Sequence, residues 1–174
     1  MGGRCILAGK EIEVQIELCR EDAVLPKYAR AGDAGMDVYA AEEVWIRPGE
    51  TVIIPTGLKL AIPEGYEIQV RPRSGVSYKT PLRLPNSPGT IDSGYRDELG
   101  IIMTNTSETC SSNAERILSI DSKDNQMGTY RIKKGDRVAQ IVLQEVPRMA
   151  FRVVESVKAV GQDRGGGFGS TGVR

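Results

Sequence analysis

TVIIPTGLKLAIPEGYEIQVR, residues 51–71, decides the fold class. It holds three short apolar-rich runs, Thr51–Ile54, Leu58–Ile62 and Tyr66–Arg71, separated by Pro and Gly, which is the pattern of β-strands between turns. Upstream, EIEVQIEL (Glu11–Leu18) sets Glu11, Glu13, Gln15 and Glu17 in strict alternation with Ile12, Val14, Ile16 and Leu18, the period of a half-buried strand. Further strands are predicted at Val44–Ile46, Leu99–Thr104, Tyr130–Ile132 and Val138–Leu143, punctuated by Pro-Gly and Lys-Gly-Asp turns. Only the segment around Asn113–Leu118 reads as a short helix, and no internal repeat is visible. Many short strands with Gly/Pro turns predict a sandwich or barrel, here an all-β jelly-roll-like domain with little helix.

The 174 residues fit one domain, 1–174, long enough to bury a core. Lys plus Arg equals Asp plus Glu at 23 each, so no overall field steers the chain to nucleic acid or to an anionic membrane. There is no histidine, which removes the usual general base and the Ser-His-Asp triad and leaves carboxylates to carry any acid–base chemistry. Cys5, Cys19 and Cys110 are odd in number and form no Cys-x-x-Cys pair, so neither a disulfide framework nor a zinc site is expected. The apolar stretch in MGGRCILAGK is too short for a signal peptide or a membrane span. The expected location is intracellular, in the cytoplasm.

Gly89–Leu99, GTIDSGYRDEL, gathers an acid, an aromatic and a basic residue, Asp92, Tyr95 and Arg96, around Ser93-Gly94. With Ile91 before it and Leu99 and Ile101 after it, the stretch reads as two strands joined by a tight turn, where Gly supplies a positive φ. The mouth of such a hairpin offers backbone N–H and C=O groups to the edge of a flat ring, although the same residues also suit an ordinary surface hairpin. Arg73-Ser74-Gly75 follows an extended run ending in Arg71-Pro72 and can turn a hydroxyl, backbone donors and a guanidinium toward an anion. Gly135–Gln140, GDRVAQ, starts on a turn and enters a strand where Gln140 offers an amide; in isolation it is a turn with a solvated charge pair. The polar stretch at about 107–128 exceeds the usual connection of about 4–6 residues and reads as an inserted surface loop. From Gly161 onward the chain is a Gly-rich arm, 161–174, either a flexible end or a phosphate-binding arm.

Taken in order, Ala34–Val38 (AGMDV), Arg73–Ser77 (RSGVS), Gly89–Leu99, Gly135–Gln140 and Arg164–Gly172 (RGGGFGSTG) resemble the five motifs of the trimeric deoxyuridine triphosphate nucleotidohydrolases, the dUTPases. The resemblance runs from about Leu25 to the C-terminus. It implies a homotrimer with shared active sites, and hydrolysis of dUTP to dUMP and pyrophosphate, limiting uracil incorporation into DNA and supplying dUMP for thymidylate synthesis. Asp92 matches the residue that activates the attacking water, and Tyr95 the aromatic that packs on the deoxyribose and excludes a 2′-hydroxyl. Asn86, Thr90, Ile91 and Gly100 match positions that read the uracil edge. Ser74, Gly75 and Gln140 match phosphate contacts, with Arg73 adding charge. Arg164, Phe168, Gly169, Ser170 and Thr171 match an arm that closes over substrate, with Phe168 stacked on the base. Mg2+ is implied, held mainly by the phosphates and water with no direct protein ligand, and Asp37 matches a carboxylate that orients a metal-bound water.

Two departures stand out: Asp97 occupies a position where the family commonly has Gly, and the 107–128 loop is longer than the usual link between the third and fourth motifs. A dCTP deaminase of the same fold is the nearest rival. Its paired serines and following arginine are missing from the second motif here. Two further rivals are a nucleotide-sensing module that binds without turnover and a structural jelly roll that binds no ligand.

Overall fold

The computed structural model describes residues 10–166. Along the chain lie β1 (Gln15–Leu18), β2 (Met36–Tyr39), β3 (Val44–Ile46), β4 (Thr51–Pro55), β5 (Leu58–Ala61), β6 (Tyr66–Arg71) and helix α1 (Ser74–Lys79). There follow β7 (Leu82–Arg83), β8 (Gly89–Ile91), β9 (Gly100–Asn105), α2 (Ser111–Glu115), β10 (Ile117–Ser119), β11 (Thr129–Ile132) and β12 (Arg137–Glu145). The strands form small sheets that wrap one core in a jelly-roll-type all-β fold, ordered β2-β12-β6-β8, β4-β9-β7, β10-β11-β3 and β1-β5. The core is aliphatic: Val38, Ile46, Ile54, Leu58, Ile101 and Val138 are fully buried, and Tyr130 is sealed among them with its hydroxyl donating to the Gln126 carbonyl at 2.9 Å. Among the described residues no helix is long and apolar enough to cross a membrane.

Residues 51–71 form three strands, as their pattern predicts. β4 and β6 alternate in burial, and the Pro63-Glu64-Gly65 turn closes with Gly65 at φ +84°, a conformation that side chains resist. The N-terminal strand is shorter than its alternation implies. It begins at Gln15, pairs only with β5, and leaves Ile16 and Leu18 exposed, while Ile12 and Val14 are half-buried.

Three local expectations are corrected. The hairpin predicted across Ser93-Gly94 does not form: β8 pairs with β6, whereas β9 pairs with β4 and β7. Leu99 is buried and its N–H donates to the Leu58 carbonyl at 2.8 Å, so residues 92–99 carry the chain between two sheets, and Gly94 lacks a positive φ. Second, the helix predicted around Asn113–Leu118 ends at Glu115. The Arg116 carbonyl then accepts the Thr129 N–H at 2.8 Å and Ile117–Ser119 joins β11 in parallel, so a sheet ladder overrides local helix preference. Third, the turn read at Arg73-Ser74-Gly75 opens helix α1. The helix forms because Val76 and Thr80, four residues apart, both point into the core, with the Thr80 hydroxyl donating to the Val76 carbonyl at 2.8 Å.

The 107–128 segment, which holds α2 and β10, is fastened at its base by Asn105. This buried amide donates to the carbonyls of Ile46 (2.9 Å) and Gly128 (2.8 Å), and its oxygen accepts the Ser107 N–H (3.0 Å). Asn105→Ala would take this amide from the Ile46 carbonyl and the Ser107 N–H and leave the Gly128 carbonyl only the Ser107 hydroxyl at 3.4 Å. We expect a loss of about 3 kcal/mol or more in urea unfolding, against a cost of about 1–3 kcal/mol per orphaned group.

Candidate active site

Strand register sorts the candidate residues into two groups. Asp37 on β2 faces Gln140 on β12, which faces Arg71 on β6, so three residues form one row across the sheet. Just past this row the chain turns at Pro72 into Arg73, Ser74 and Gly75. Asp37 Oδ1 accepts from Arg73 Nε at 2.7 Å and Oδ2 from an Arg137 terminal nitrogen at 3.2 Å, so one carboxylate holds two guanidiniums at one rim. Arg73, Gly75, Lys79, Asp121, Asp136 and Arg137 line a polar cavity there. Gly75 keeps its φ negative and an added Cβ would meet nothing within 4 Å, so open space lies beside its backbone. The leading N–H groups of α1 lack intrahelical acceptors, and Ser74 and Gly75 are exposed.

Gln140 is absent from the lining of this cavity. Its Nε2 donates to the Pro72 carbonyl at 2.9 Å and its oxygen lies where a Cβ on Gly35 would sit, 2.7 Å away, so it props the corner that carries Arg73. Arg137 and Lys79, which line the cavity, were not among the sequence candidates. Arg137 lies inside GDRVAQ and its charge was visible there; Lys79 depends on α1, whose signal is only the Val76–Thr80 spacing.

The second group sits at the far end of the sheet. Thr90 pairs with Gln69 and Ile91 with Ile68, and Asn86 covers Gly89, where an added Cβ would stand 3.2 Å from its amide nitrogen. Beyond Ile91 a turn closes from the Tyr95 N–H to the Asp92 carbonyl at 3.1 Å. Asp92, Tyr95 and Arg96 are exposed in the single chain. Arg96 folds back to donate to the carbonyls of Ser93 (2.6 Å) and Tyr95 (2.8 Å), so it braces the turn. The Tyr95 hydroxyl donates to the Glu98 carbonyl at 3.0 Å. Gly100 leads into β9, where an added Cβ would lie 2.5 Å from Ile53 Cγ2. Arg164 is exposed. Phe168, Gly169, Ser170 and Thr171 lie outside the described residues.

The two groups are far apart. Asp37 is three strands from β8, and Asp92 lies about four residues along the strand direction from the Asp37–Gln140–Arg71 row. At ~4.8 Å per strand and ~3.3 Å per residue the separation is about 20 Å. No cluster of three or more His, Cys, Asp or Glu that would hold a metal ion occurs among the described residues.

A polar cavity holding Arg73, Lys79 and Arg137 lies at one end of the sheet, and an exposed turn carrying Asp92 and Tyr95 lies at the other. The dUTPase family profile matches residues 21–117. The chain is 42% identical to a deoxyuridine 5′-triphosphate nucleotidohydrolase of Fusobacterium nucleatum over 92% of its length and 98% of that protein. It is 39% identical to one of Clostridium tetani over 93% and 98%. A Staphylococcus bacteriophage 80alpha dUTPase with dUPNHPP superposes with a TM-score of 0.83 at 36% identity, covering 92% of this chain and 99% of that one. A mutant dUTPase from phage phi11 of S. aureus, whose structure details a structural Mg(II) ion, gives a TM-score of 0.74 at 34% identity over 83% and 98%. The chain therefore belongs to the dUTPase family, the dUTP diphosphatases.

Glu98, at the exit of the Asp92 turn, has its carboxyl held below the usual carboxylate range. The main cause is hydrogen bonding from the Arg20 side chain; burial opposes it, and the Gly57 N–H, the Arg20 charge and the Thr56 backbone add to it. A carboxylate depressed in the folded state stabilises the fold above its unfolded pKa of about 4.3, and that stabilisation is lost as the pH falls through the folded value. Urea midpoints measured from about pH 5 down to about pH 3 should therefore drop less steeply for Glu98→Gln than for the unaltered chain.

Proposed function

We propose that this protein hydrolyses dUTP to dUMP and pyrophosphate at a site built from the two groups above, contributed by different copies of the chain. The observation that carries this reading is their separation. A base must come within about 3 Å of the water it activates, so Asp92 cannot serve a phosphate held about 20 Å away at the Arg73–Gly75 end of its own chain. A neighbouring copy that sets its Asp92 turn against this cavity completes the site, as a homotrimer with shared active sites would.

Two exposed apolar surfaces support assembly. After β12, Met149, Phe151 and Val153 alternate at 81%, 88% and 97% exposure, a row that the described residues leave uncovered. Ile53 projects from the β4–β9 sheet at 67% exposure. Burying any one such side chain is worth about 1.5–3 kcal/mol.

In this reading Arg73, Arg137 and Lys79 draw the triphosphate into the cavity, and the Ser74 and Gly75 backbone approaches its oxygens. Asp37 keeps both guanidiniums aimed at the anion. Asn86, Thr90, Ile91 and Gly100 read the uracil edge, and Tyr95 packs on the sugar and leaves no room for a 2′-hydroxyl. Asp92 takes a proton from water as its oxygen bonds to the α-phosphorus; the bond from that phosphorus to the bridging oxygen breaks, and pyrophosphate leaves with the electron pair. Gln140 keeps the Arg71-Pro72-Arg73 corner in place through its bond to the Pro72 carbonyl. The donor set fits a Mg2+ ion that arrives on the triphosphate, since both Asp37 oxygens already serve arginines and the carboxylate would reach the ion only through water. Bound there, Mg2+ would neutralise phosphate charge and favour departure of pyrophosphate. Arg164, Phe168, Gly169, Ser170 and Thr171 would close over the nucleotide and exclude bulk water.

The decisive assay is pyrophosphate release from dUTP, dTTP, dCTP and UTP in parallel, with Mg2+ and with chelator. Release from dUTP alone supports the reading; ammonia release from dCTP would indicate a deaminase, and dUTP binding without turnover a sensing module. Asp92→Asn should bind dUTP as before and lose at least about a thousandfold in kcat, because it preserves shape while removing the base. A chain ending at Asp163 should keep its oligomeric mass and melting temperature and lose most of its activity, checked by light scattering and the same assay.

A further inference from the structure

The turn that carries Asp92 and Tyr95 is anchored from outside the motifs. Arg20 lies one residue before the segment that matches the family profile. Its Nε donates to Glu98 Oε1 at 2.7 Å and a terminal nitrogen to Oε2 at 2.9 Å, a two-pronged grip with the geometry that makes Arg–carboxylate pairs directional. The other terminal nitrogen donates to Glu42 at 2.9 Å, which fixes the guanidinium from a second side. Glu98 Oε1 also accepts the Gly57 N–H at 2.7 Å.

Around this pair three segments are tied together. The Cys19 N–H donates to the Gly57 carbonyl at 2.8 Å, and the Thr56 hydroxyl to the Leu99 carbonyl at 2.6 Å. Gly57 sits at φ +72°, and an added Cβ would stand 2.6 Å from Ala23 Cβ and 3.2 Å from Arg20 Cβ, so the turn is pressed onto the Arg20 segment. The joint reaches the nucleotide-binding side through one bond: the Tyr95 hydroxyl rests on the carbonyl of Glu98, the residue Arg20 grips. Between Asp92 and Glu98 the chain has no strand partner, so these bonds set where the tyrosine ring stands.

We propose that Arg20 is a positioning residue for nucleotide selection: by gripping Glu98 it sets the height of the Tyr95 ring, and through it the exclusion of a 2′-hydroxyl, and holds the Asp92 turn in register. This rests on the assignment of Tyr95 to the deoxyribose under the proposed function. The grip acts on geometry, so its loss should change selectivity as well as rate.

The test compares the unaltered chain with Arg20→Ala, Arg20→Lys and Glu98→Ala. It reads kcat and KM for dUTP and UTP, and amide hydrogen exchange across residues 92–99. Arg20→Ala should lower the preference for dUTP over UTP about tenfold or more, since small misplacements of site groups cost that much, and should speed exchange across 92–99. Arg20→Lys, which keeps the charge but not the fork, should fall between, and the Arg20→Ala/Glu98→Ala double variant should be no worse than either single one. An unchanged dUTP/UTP ratio in folded Arg20 variants overturns the proposal, even if kcat falls. So does unchanged exchange across 92–99. If Arg20→Ala does not fold, Arg20→Lys carries the same comparison. Failure of the unaltered chain to hydrolyse dUTP would overturn the assigned reaction, and the exchange measurement would still decide whether Arg20 anchors the turn.

Discussion

Pairing of β12 on both edges is the constraint on which the rest of this molecule depends. Arg137–Glu145 ladders with β2 on one side and with β6 on the other, and Val138, Ala139, Ile141 and Val142 are all buried, so both faces of the strand's middle are covered. A slip of the ladder would bring Gln140 or the charged ends of the strand into places these apolar residues fill, so burial pins the register. The same register sets Asp37, Gln140 and Arg71 in one row. The alignment of three separate motifs thus follows from burying aliphatic residues that take no part in the chemistry.

The antiparallel direction of β8 against β6 has a less obvious consequence. Because β8 enters at the Val70 end and leaves beyond Ile68, the turn bearing Asp92 emerges at the opposite end of the sheet from the Arg73 cavity. In the proposed reading, a fold that so divides the two halves of a nucleotide site gives each chain a cavity without its base and a base without its cavity. Association of copies would then also cover the exposed apolar side chains at Met149–Val153 and Ile53. Charge is arranged with similar economy: Asp37 pairs with Arg73 and Arg137, which would otherwise repel one another at one rim.

Legibility in the sequence followed the range of the interactions. Strand periods and Pro/Gly turns are local, and they place β3, β6 and the cores of β4, β5, β11 and β12 within a residue or two. The N-terminal alternation was equally regular, yet only its second half found a partner strand, so Glu11–Val14 stays outside the ladder. The supposed hairpin failed because Ser93-Gly94 looks like a tight turn by composition, while Ile91 and Leu99 are claimed by different sheets. α1 went unseen because six residues leave too little periodicity to read. The position of Gln140 on a strand is legible in its pattern, but its bond to the Pro72 carbonyl, 68 residues away, is not.

By itself the sequence determined the all-β class, the lack of a histidine to serve as general base, and the segments that resemble the dUTPase motifs, since each depends on residue types and on neighbours a few positions apart. Only the tertiary structure decided which of these segments meet, that the Asp92 turn and the Arg73 cavity of one chain lie at opposite ends of the sheet, that Arg137 and Lys79 line that cavity, and that Arg20 grips Glu98 across 78 residues of sequence. Such contacts are made by strand pairing and loop closure between distant parts of the chain, and no local pattern of side chains records them.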